Sequence, residues 1–236
     1  TGQSYTIDKT APVVSSIVRA GANPTNATSV TFTVNFSESV TGLAAGNFAV
    51  DQTGLTGASV GTLSGSGASY SITANTGTGS GSLSVDLINS IASIVDSAGN
   101  SMASAFVAGE VYTIDKVAPT VSSIVRAGAN PTNAASVSFT VTFSETVTGV
   151  ATGNFNLTTT GVAGATVSSV TGSGSTRTVN VNTGTGSGTI QLNLSSVTPA
   201  IPDTAGNNLA ATFNSGEVYT IDKAAPTVTS ITQIGR

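Results

Sequence analysis

The 236-residue sequence contains no cysteine, no histidine and no tryptophan. Without cysteine, no disulfide can stabilise the fold. Without histidine, the chain lacks the usual general base near neutral pH and the commonest ligand of transition metals. These absences argue against most hydrolytic and transition-metal chemistry, and we expect a protein that is not an enzyme.

Charge is also scarce, because Asp, Glu, Lys and Arg together make up only 8% of the chain. The net charge of -4 and the seven basic residues argue against nucleic acid or an anionic membrane as a partner. No apolar run reaches about 18 residues, so the sequence predicts no membrane insertion of this segment. Hydrophobic residues account for 39%, which is too apolar for a disordered chain.

The most informative feature that is present is an internal repeat. The motif Tyr-Thr-Ile-Asp-Lys begins at Tyr5, Tyr112 and Tyr219, a constant spacing of 107 residues. A unit of this length buries its own core, unlike the shorter units of solenoids. We therefore divide the chain into the end of a preceding repeat (1–8), two full repeats (9–115 and 116–222) and the start of a following repeat (223–236).

Each repeat is predicted to be an immunoglobulin-like β-sandwich of about seven strands. Residues 29–36 alternate polar and apolar side chains, which is typical of a half-buried strand, and residues 83–87 do the same. Gly- and Ser-rich turns separate such segments, and no stretch has a sustained helical period. About seven short strands in roughly 100 residues is the pattern of this all-β fold.

Nine of the eleven acidic residues recur between the repeats. Asp8 lies in the linker that enters a repeat, Glu38 follows the second strand, and Asp96 lies in the last loop. An up-and-down strand order brings these three to one end of the unit. Glu110 and its equivalent Glu217 are too far along the last strand for the same site, and we interpret them as charges that discourage strand pairing at a sheet edge.

Three adjacent carboxylates repel one another unless a cation neutralises them. Ca²⁺ binds 6–8 oxygen ligands in flexible geometry, whereas Mg²⁺ is stricter and Zn²⁺ prefers His and Cys. We therefore predict calcium at the domain junctions. The predicted ligands are Asp8, Glu38, Asp96 and Asn100 for one ion, and Asp115, Glu145, Asp203 and Asn207 for the next. The alternative is that Asp96 and Asn100 serve only to form a turn.

The motifs Ile7-Asp8-Lys9-Thr10-Ala11-Pro12, Phe36-Ser37-Glu38-Ser39 and Asp96-Ser97-Ala98-Gly99-Asn100 resemble tandem bacterial Ig-like domains. Such domains form the extender region of large repetitive surface adhesins. The resemblance covers nearly the whole chain and implies secretion, a cell-surface location and, often, calcium at the joints. It also implies that a lysine at position 9 or 116 weakens or replaces metal binding.

The function that we expect is a structural stalk whose partners are the neighbouring repeats of the same chain. One alternative is a subunit of an extracellular filament or surface layer, in which the partners are other copies. Another is a carbohydrate-binding module, for which Tyr70 is the best candidate for an exposed aromatic platform, although its equivalent is Arg177.

Overall fold

The structure is a computed structural model that describes residues 2–235. Thr1 and Arg236, which belong to the predicted terminal segments 1–8 and 223–236, lie outside the described residues. The chain forms two compact units. The first extends to Val117 and includes Ala205–Asn207, and the second contains the remaining residues.

The first unit consists of two three-stranded antiparallel sheets, with strand orders β1-β2-β4 and β3-β5-β6. Short 3₁₀ turns cover Ala45–Asn47 and Ile91–Ser93. The strands are β1 (Val14–Arg19), β2 (Ser29–Val40), β3 (Phe48–Thr53), β4 (Ser59–Asn75), β5 (Gly81–Leu87) and β6 (Tyr112–Ile114).

The second unit consists of a four-stranded sheet, β10-β11-β8-β7, and a three-stranded sheet, β13-β12-β9. A 3₁₀ turn covers Thr152–Asn154. The strands are β7 (Val121–Arg126), β8 (Ser136–Phe143), β9 (Phe155–Thr160), β10 (Thr166–Thr171), β11 (Thr176–Asn182), β12 (Gly188–Leu194) and β13 (Val218–Ile221).

This strand order is that of an immunoglobulin-like sandwich. The first, second, fourth and fifth strands of the second unit share one sheet, and the third, sixth and seventh share the other, which is the constant-type Ig arrangement. The predicted fold class is therefore confirmed. Among residues 2–235, no helix has the length and apolar character needed to cross a bilayer.

The alternating strands place their apolar side chains in the core, as predicted. Phe32 and Val34 of β2 and Val85 of β5 are completely buried, and so are Phe139 and Val141 of β8. Dispersion and removal of apolar surface from water stabilise each unit through these positions, without any disulfide.

The tyrosine and the isoleucine of the recurring Tyr-Thr-Ile-Asp motif are core residues. Tyr112 is 1% exposed, and its ring packs edge-to-face on Phe32 at 5.1 Å. Its hydroxyl donates a hydrogen bond to the carbonyl O of Thr31 (3.0 Å) and accepts one from the amide of Gly21 (2.8 Å). Ile114 is buried beside it, so the motif alternates two core residues with Thr113, which is exposed.

The last strand of the first unit, β6, is only three residues long. Phe106 still pairs with Leu87, but the chain then crosses to the edge of β1, where Glu110 N donates to Ile17 O (2.9 Å). Gly109 permits this approach, because a Cβ atom there would lie 3.1 Å from Cβ of Ile17. Only Tyr112–Ile114 then pairs with β5.

Glu110 has a different role from the predicted one. Its carboxylate accepts a hydrogen bond from the Arg19 amide (2.8 Å) and lies 3.4 Å from Nε of the same residue. Glu217 makes the equivalent contacts with Arg126 in the second unit. Glu110 therefore binds the segment before β6 to β1 and covers the edge of that strand. We had expected the acid to prevent pairing at a sheet edge by charge repulsion.

Candidate metal centre

Three of the recurring acids converge in the first unit. Carboxylate oxygens of Asp8, Glu38 and Asp96 all lie within 4.8 Å of one another. Asp8 precedes β1, Glu38 lies near the end of β2, and Asp96 lies in the loop after Ile91–Ser93. These segments, far apart in sequence, therefore present their acidic groups to one point.

A short backbone bridge brings Glu38 and Asp96 together. Thr41 N donates to Val95 O (2.8 Å), and Val95 N donates to Thr41 O (3.0 Å). This pairing fixes the loop that contains Asp96 against the end of β2. Glu38 lies in β2 between the buried Phe36 and Val40, and it is itself half-buried.

Asp96 is held in one orientation by its own turn. Its Oδ1 accepts hydrogen bonds from the amides of Ala98 and Asn100, both at 2.8 Å, and its Oδ2 accepts one from Nδ2 of Asn100 at 2.7 Å. The Asn100 side chain, followed by the backbone amides, lowers the pKa of this carboxyl against the opposing effect of burial. Asp96, which is 4% exposed, is therefore an ionised and well-positioned acid.

Glu38 experiences the opposite effect. Partial burial raises the pKa of its carboxyl, and the negative charges of Asp96 and Asp8 raise it further. Within residues 2–235, no Lys or Arg forms an ion pair with any of these three acids, and this includes Lys9, the neighbour of Asp8 in the sequence. The cluster is therefore an anionic site whose charge the protein itself does not neutralise.

Asn100 lies at this site, but its side-chain nitrogen, rather than its oxygen, faces the two aspartates. Its Nδ2 donates to Asp96 Oδ2 and to the carbonyl O of Asp8 (3.3 Å), which ties the entering segment to the loop. Its oxygen becomes a ligand only if the carboxamide turns over, so Asn100 as a metal ligand stays a prediction. The turn predicted as the alternative is present, with Gly99 at φ +90°.

The second predicted set includes residues of both units. Asp115 and Asn207 belong to the first unit, whereas Glu145 and Asp203 belong to the second. Asp203 is 4% exposed, like Asp96, and Glu145 follows β8 and is half-buried. This ligand set stays a prediction that rests on the sequence repeat.

Sequence reasoning did not anticipate a role for Ser80. Its hydroxyl lies 3.3 Å from Oδ1 of Asp115, to which it donates, and the amide of Val117 donates to the same oxygen at 3.0 Å. The available signal was the exact copy of residues 75–81 at 182–188.

The aromatic platform proposed for sugar binding is absent at Tyr70. The ring packs edge-to-face against Phe36 at 5.9 Å, and the hydroxyl donates to the carbonyl O of Val40 (2.8 Å). In the second unit, Arg177 is buried and donates to the equivalent carbonyl, that of Val147. The prediction of an exposed platform at Tyr70 is therefore wrong, because the ring is half-buried and packs on the core.

No protein-family model and no curated protein sequence match the chain. Among solved structures, it is similar to FdeC, an Escherichia coli adhesin, with a TM-score of 0.40 and 18% identity over 89% of this chain and 66% of that one. For InvD of Yersinia pseudotuberculosis, the TM-score is 0.31 and the identity 17%, over 93% of this chain and 60% of that one. For the adhesin InvE of the same organism, the TM-score is 0.28 and the identity 11%, over 88% of this chain and 58% of that one.

The chain thus spans less than two thirds of the length of each of these three structures. Similarity at this level carries no function from those proteins to this one. The assignment of an Ig-like fold rests on the strand order described above.

Proposed function

We propose that this chain is a stalk segment of a secreted or cell-surface bacterial adhesin, and that calcium stiffens the joints between its Ig-like repeats. The observation that carries the proposal is the convergence of Asp8, Glu38 and Asp96 without a basic partner among the described residues. Asp8 belongs to the linker, whereas Glu38 and Asp96 belong to the body of the unit. An ion bound by all three therefore ties the linker to the unit that follows it.

The donor set fits a hard cation that accepts oxygen ligands. Three carboxylates offer up to six oxygens, and water completes a shell of 6–8 ligands. The hydrogen bonds from Ala98 and Asn100 already orient Asp96, so this residue loses little freedom when it binds an ion. Bound calcium supplies the positive charge that offsets the repulsion among the three acids.

The sequence repeat extends the proposal to a second ion. Asp115, Glu145 and Asp203 occupy positions equivalent to Asp8, Glu38 and Asp96, and Asn207 is equivalent to Asn100. Proline follows each linker three residues after its lysine, at Pro12 and Pro119, and limits bending through its fixed φ. A stalk needs no catalytic group, in agreement with the lack of His and Cys.

Thermal unfolding with calcium and with a chelator tests the proposal. Ligand that binds only the folded state raises the melting temperature by mass action. We expect calcium to raise the melting temperature of the unaltered chain and to have a smaller effect on Glu38→Gln. In chelator alone, Glu38→Gln should melt higher than the unaltered chain, because it removes a repelling charge. Asp51→Asn, an acid outside the set, is the matched control and should retain the full effect of calcium.

Small-angle scattering separates stiffening from mere binding. We expect a narrower distribution of interatomic distances in calcium than in chelator. Identical scattering curves in both conditions would contradict the calcium lock. Lateral arrays of purified protein in electron micrographs would favour the filament or surface-layer alternative over a single stalk.

A further inference from the structure

The linker lysine that follows the last strand of each unit, Lys116 or Lys223, is bound to that unit. Nζ of Lys116 donates to Oγ1 of Thr76 (2.9 Å) and to the carbonyl O of Gly77 (2.5 Å), and its amide donates to Oγ of Ser80 (2.8 Å). Lys223 makes the same three contacts in the second unit, with Thr183, Gly184 and Ser187 at equal distances. The contact is therefore a recurring feature of the unit.

The surface that receives the ammonium is buried and closely packed. Thr76 is completely buried, and its hydroxyl donates to the carbonyl O of Ala27 (2.7 Å), so it accepts from Lys116 through a lone pair. Gly77 has φ +62°, and a Cβ atom there would lie 2.1 Å from the carbonyl O of Thr56. The loop is therefore packed closely against the backbone of residues 56–58, to which Thr78 is also bridged.

The same loop orients the linker aspartate. Oδ1 of Asp115 accepts hydrogen bonds from Ser80 Oγ and Val117 N, and the Asp115 amide donates to Thr25 O (3.0 Å). Residues 115–117 are thus tied to the unit through backbone and side chains together. The equivalent Asp8 accepts only from the amide of Thr10 (2.9 Å) among the described contacts, and both Asp8 and Lys9 are exposed.

We propose that Lys116 is a positioning residue, which anchors the exit linker on the loop of residues 76–80 and presents the Asp115 carboxylate to a cation. This role differs from the one that the family resemblance implied, in which the lysine weakens or replaces metal binding. An ammonium that is bound by Thr76 and Gly77 is not free to neutralise the acids. The anchoring stands on the contacts alone, whereas its effect on calcium rests on the proposed function.

Amide hydrogen exchange of the full chain in chelator tests the anchor. Lys116→Gln removes the charged donor, and Lys9→Gln removes the same charge from a linker whose lysine makes no such contacts. We expect exchange at Lys116 or its replacement and at Val117 to be on the order of tenfold faster in Lys116→Gln, and unchanged in Lys9→Gln. Lys116→Arg, which retains a charged donor, should restore part of the protection. Equal exchange in the unaltered chain and Lys116→Gln would overturn the anchor.

Calcium titration of the same variants tests the positioning. We expect Lys116→Gln to weaken calcium binding at the set that contains Asp115 by roughly threefold to tenfold, because the carboxylate loses its fixed orientation. Tighter binding in Lys116→Gln would overturn the positioning role, since it would mean that the lysine competes with the ion. If neither the unaltered chain nor any variant bound calcium, the proposed function would fail. The exchange result would still show whether Lys116 anchors the linker.

Discussion

At the scale of single residues, equivalent positions of the two units can form the same hydrogen bond with different residue types. Tyr70 and Arg177 differ in size and charge, yet each donates to a carbonyl at the end of the second strand, that of Val40 or Val147. Burial lowers the pKa of Arg177, although the guanidinium remains charged. The sequence alone did not reveal this equivalence, because it depends on where a long side chain folds back over a strand.

Asp86 offers a residue-scale test of charge on a sheet face. Its pKa is raised by burial and then by Asp51, which lies diagonally across β3 and β5. The second unit has Asn193 and Thr158 at these positions, and Asn193 Nδ2 donates to Thr158 Oγ1 (2.9 Å). We expect Asp86→Asn to increase the free energy of unfolding at pH 7 by about 0.5 kcal/mol, since solvent screens part of the repulsion.

Denaturant unfolding measures this change, and a double-mutant cycle supplies the control. In an Asp51→Asn background, Asp86→Asn should give a smaller gain, because the repelling partner is gone. An equal gain in both backgrounds would show that the pair does not interact.

The pKa shifts also predict how stability depends on pH in chelator. The pKa of Glu38 lies above its usual 4.5 and that of Asp86 above its usual 3.8, so the folded state binds these protons more tightly than the unfolded state. As pH falls from 7 through the folded pKa values, both groups therefore add stability. Asp96 has a pKa below its usual 3.8, so its contribution is lost only as pH falls below that value.

Unfolding measured from pH 7 to 3 should therefore show a maximum on the acidic side. Glu38→Gln should flatten the rising part of the profile. A steady loss of stability from pH 7 to 5 in chelator would contradict the assigned sign for Glu38 and Asp86.

At the scale of elements, close backbone contacts determine where glycine is required. A Cβ atom on Gly81, at the start of β5, would lie 1.8 Å from the carbonyl O of Thr53 in β3, and Gly188 has the same relation to Thr160. We expect Gly81→Ala to lower the free energy of unfolding by about 1–3 kcal/mol, because the strands must separate.

Gly46→Ala is the matched control, since a Cβ atom there has no neighbour within 4 Å. Thermal unfolding should show little change for Gly46→Ala and a large loss for Gly81→Ala. Similar melting temperatures for the two variants would contradict the close approach of β3 and β5.

The predictable part of each element was its alternation, and the unpredictable part was its ends. Period-two patterns located the cores of β2 and β5 correctly, because one buried face fixes the register. In the first unit, Ser59–Asn75 is one continuous element, β4, which turns back on itself so that the Thr62 amide donates to Thr73 Oγ1 (2.7 Å). Turn residues at 64–67 do not by themselves show whether pairing continues through them.

At the scale of the whole molecule, the 107-residue repeat predicted the fold and the convergence of Asp8, Glu38 and Asp96. It did not predict that Asn100 faces the acids through its nitrogen, or that Lys116 is bound by Thr76 and Gly77. Both depend on side-chain rotation about a fixed backbone, which a pattern of residue types does not specify. The repeat therefore locates a site more reliably than it assigns roles within it.

Isothermal titration calorimetry with calcium tests the central claim most directly. The account predicts saturable binding by the unaltered chain, with reduced stoichiometry or affinity in Glu38→Gln and no change in Asp51→Asn. Absence of binding heat at millimolar calcium across several temperatures, or equal binding by the unaltered chain and Glu38→Gln, would contradict it.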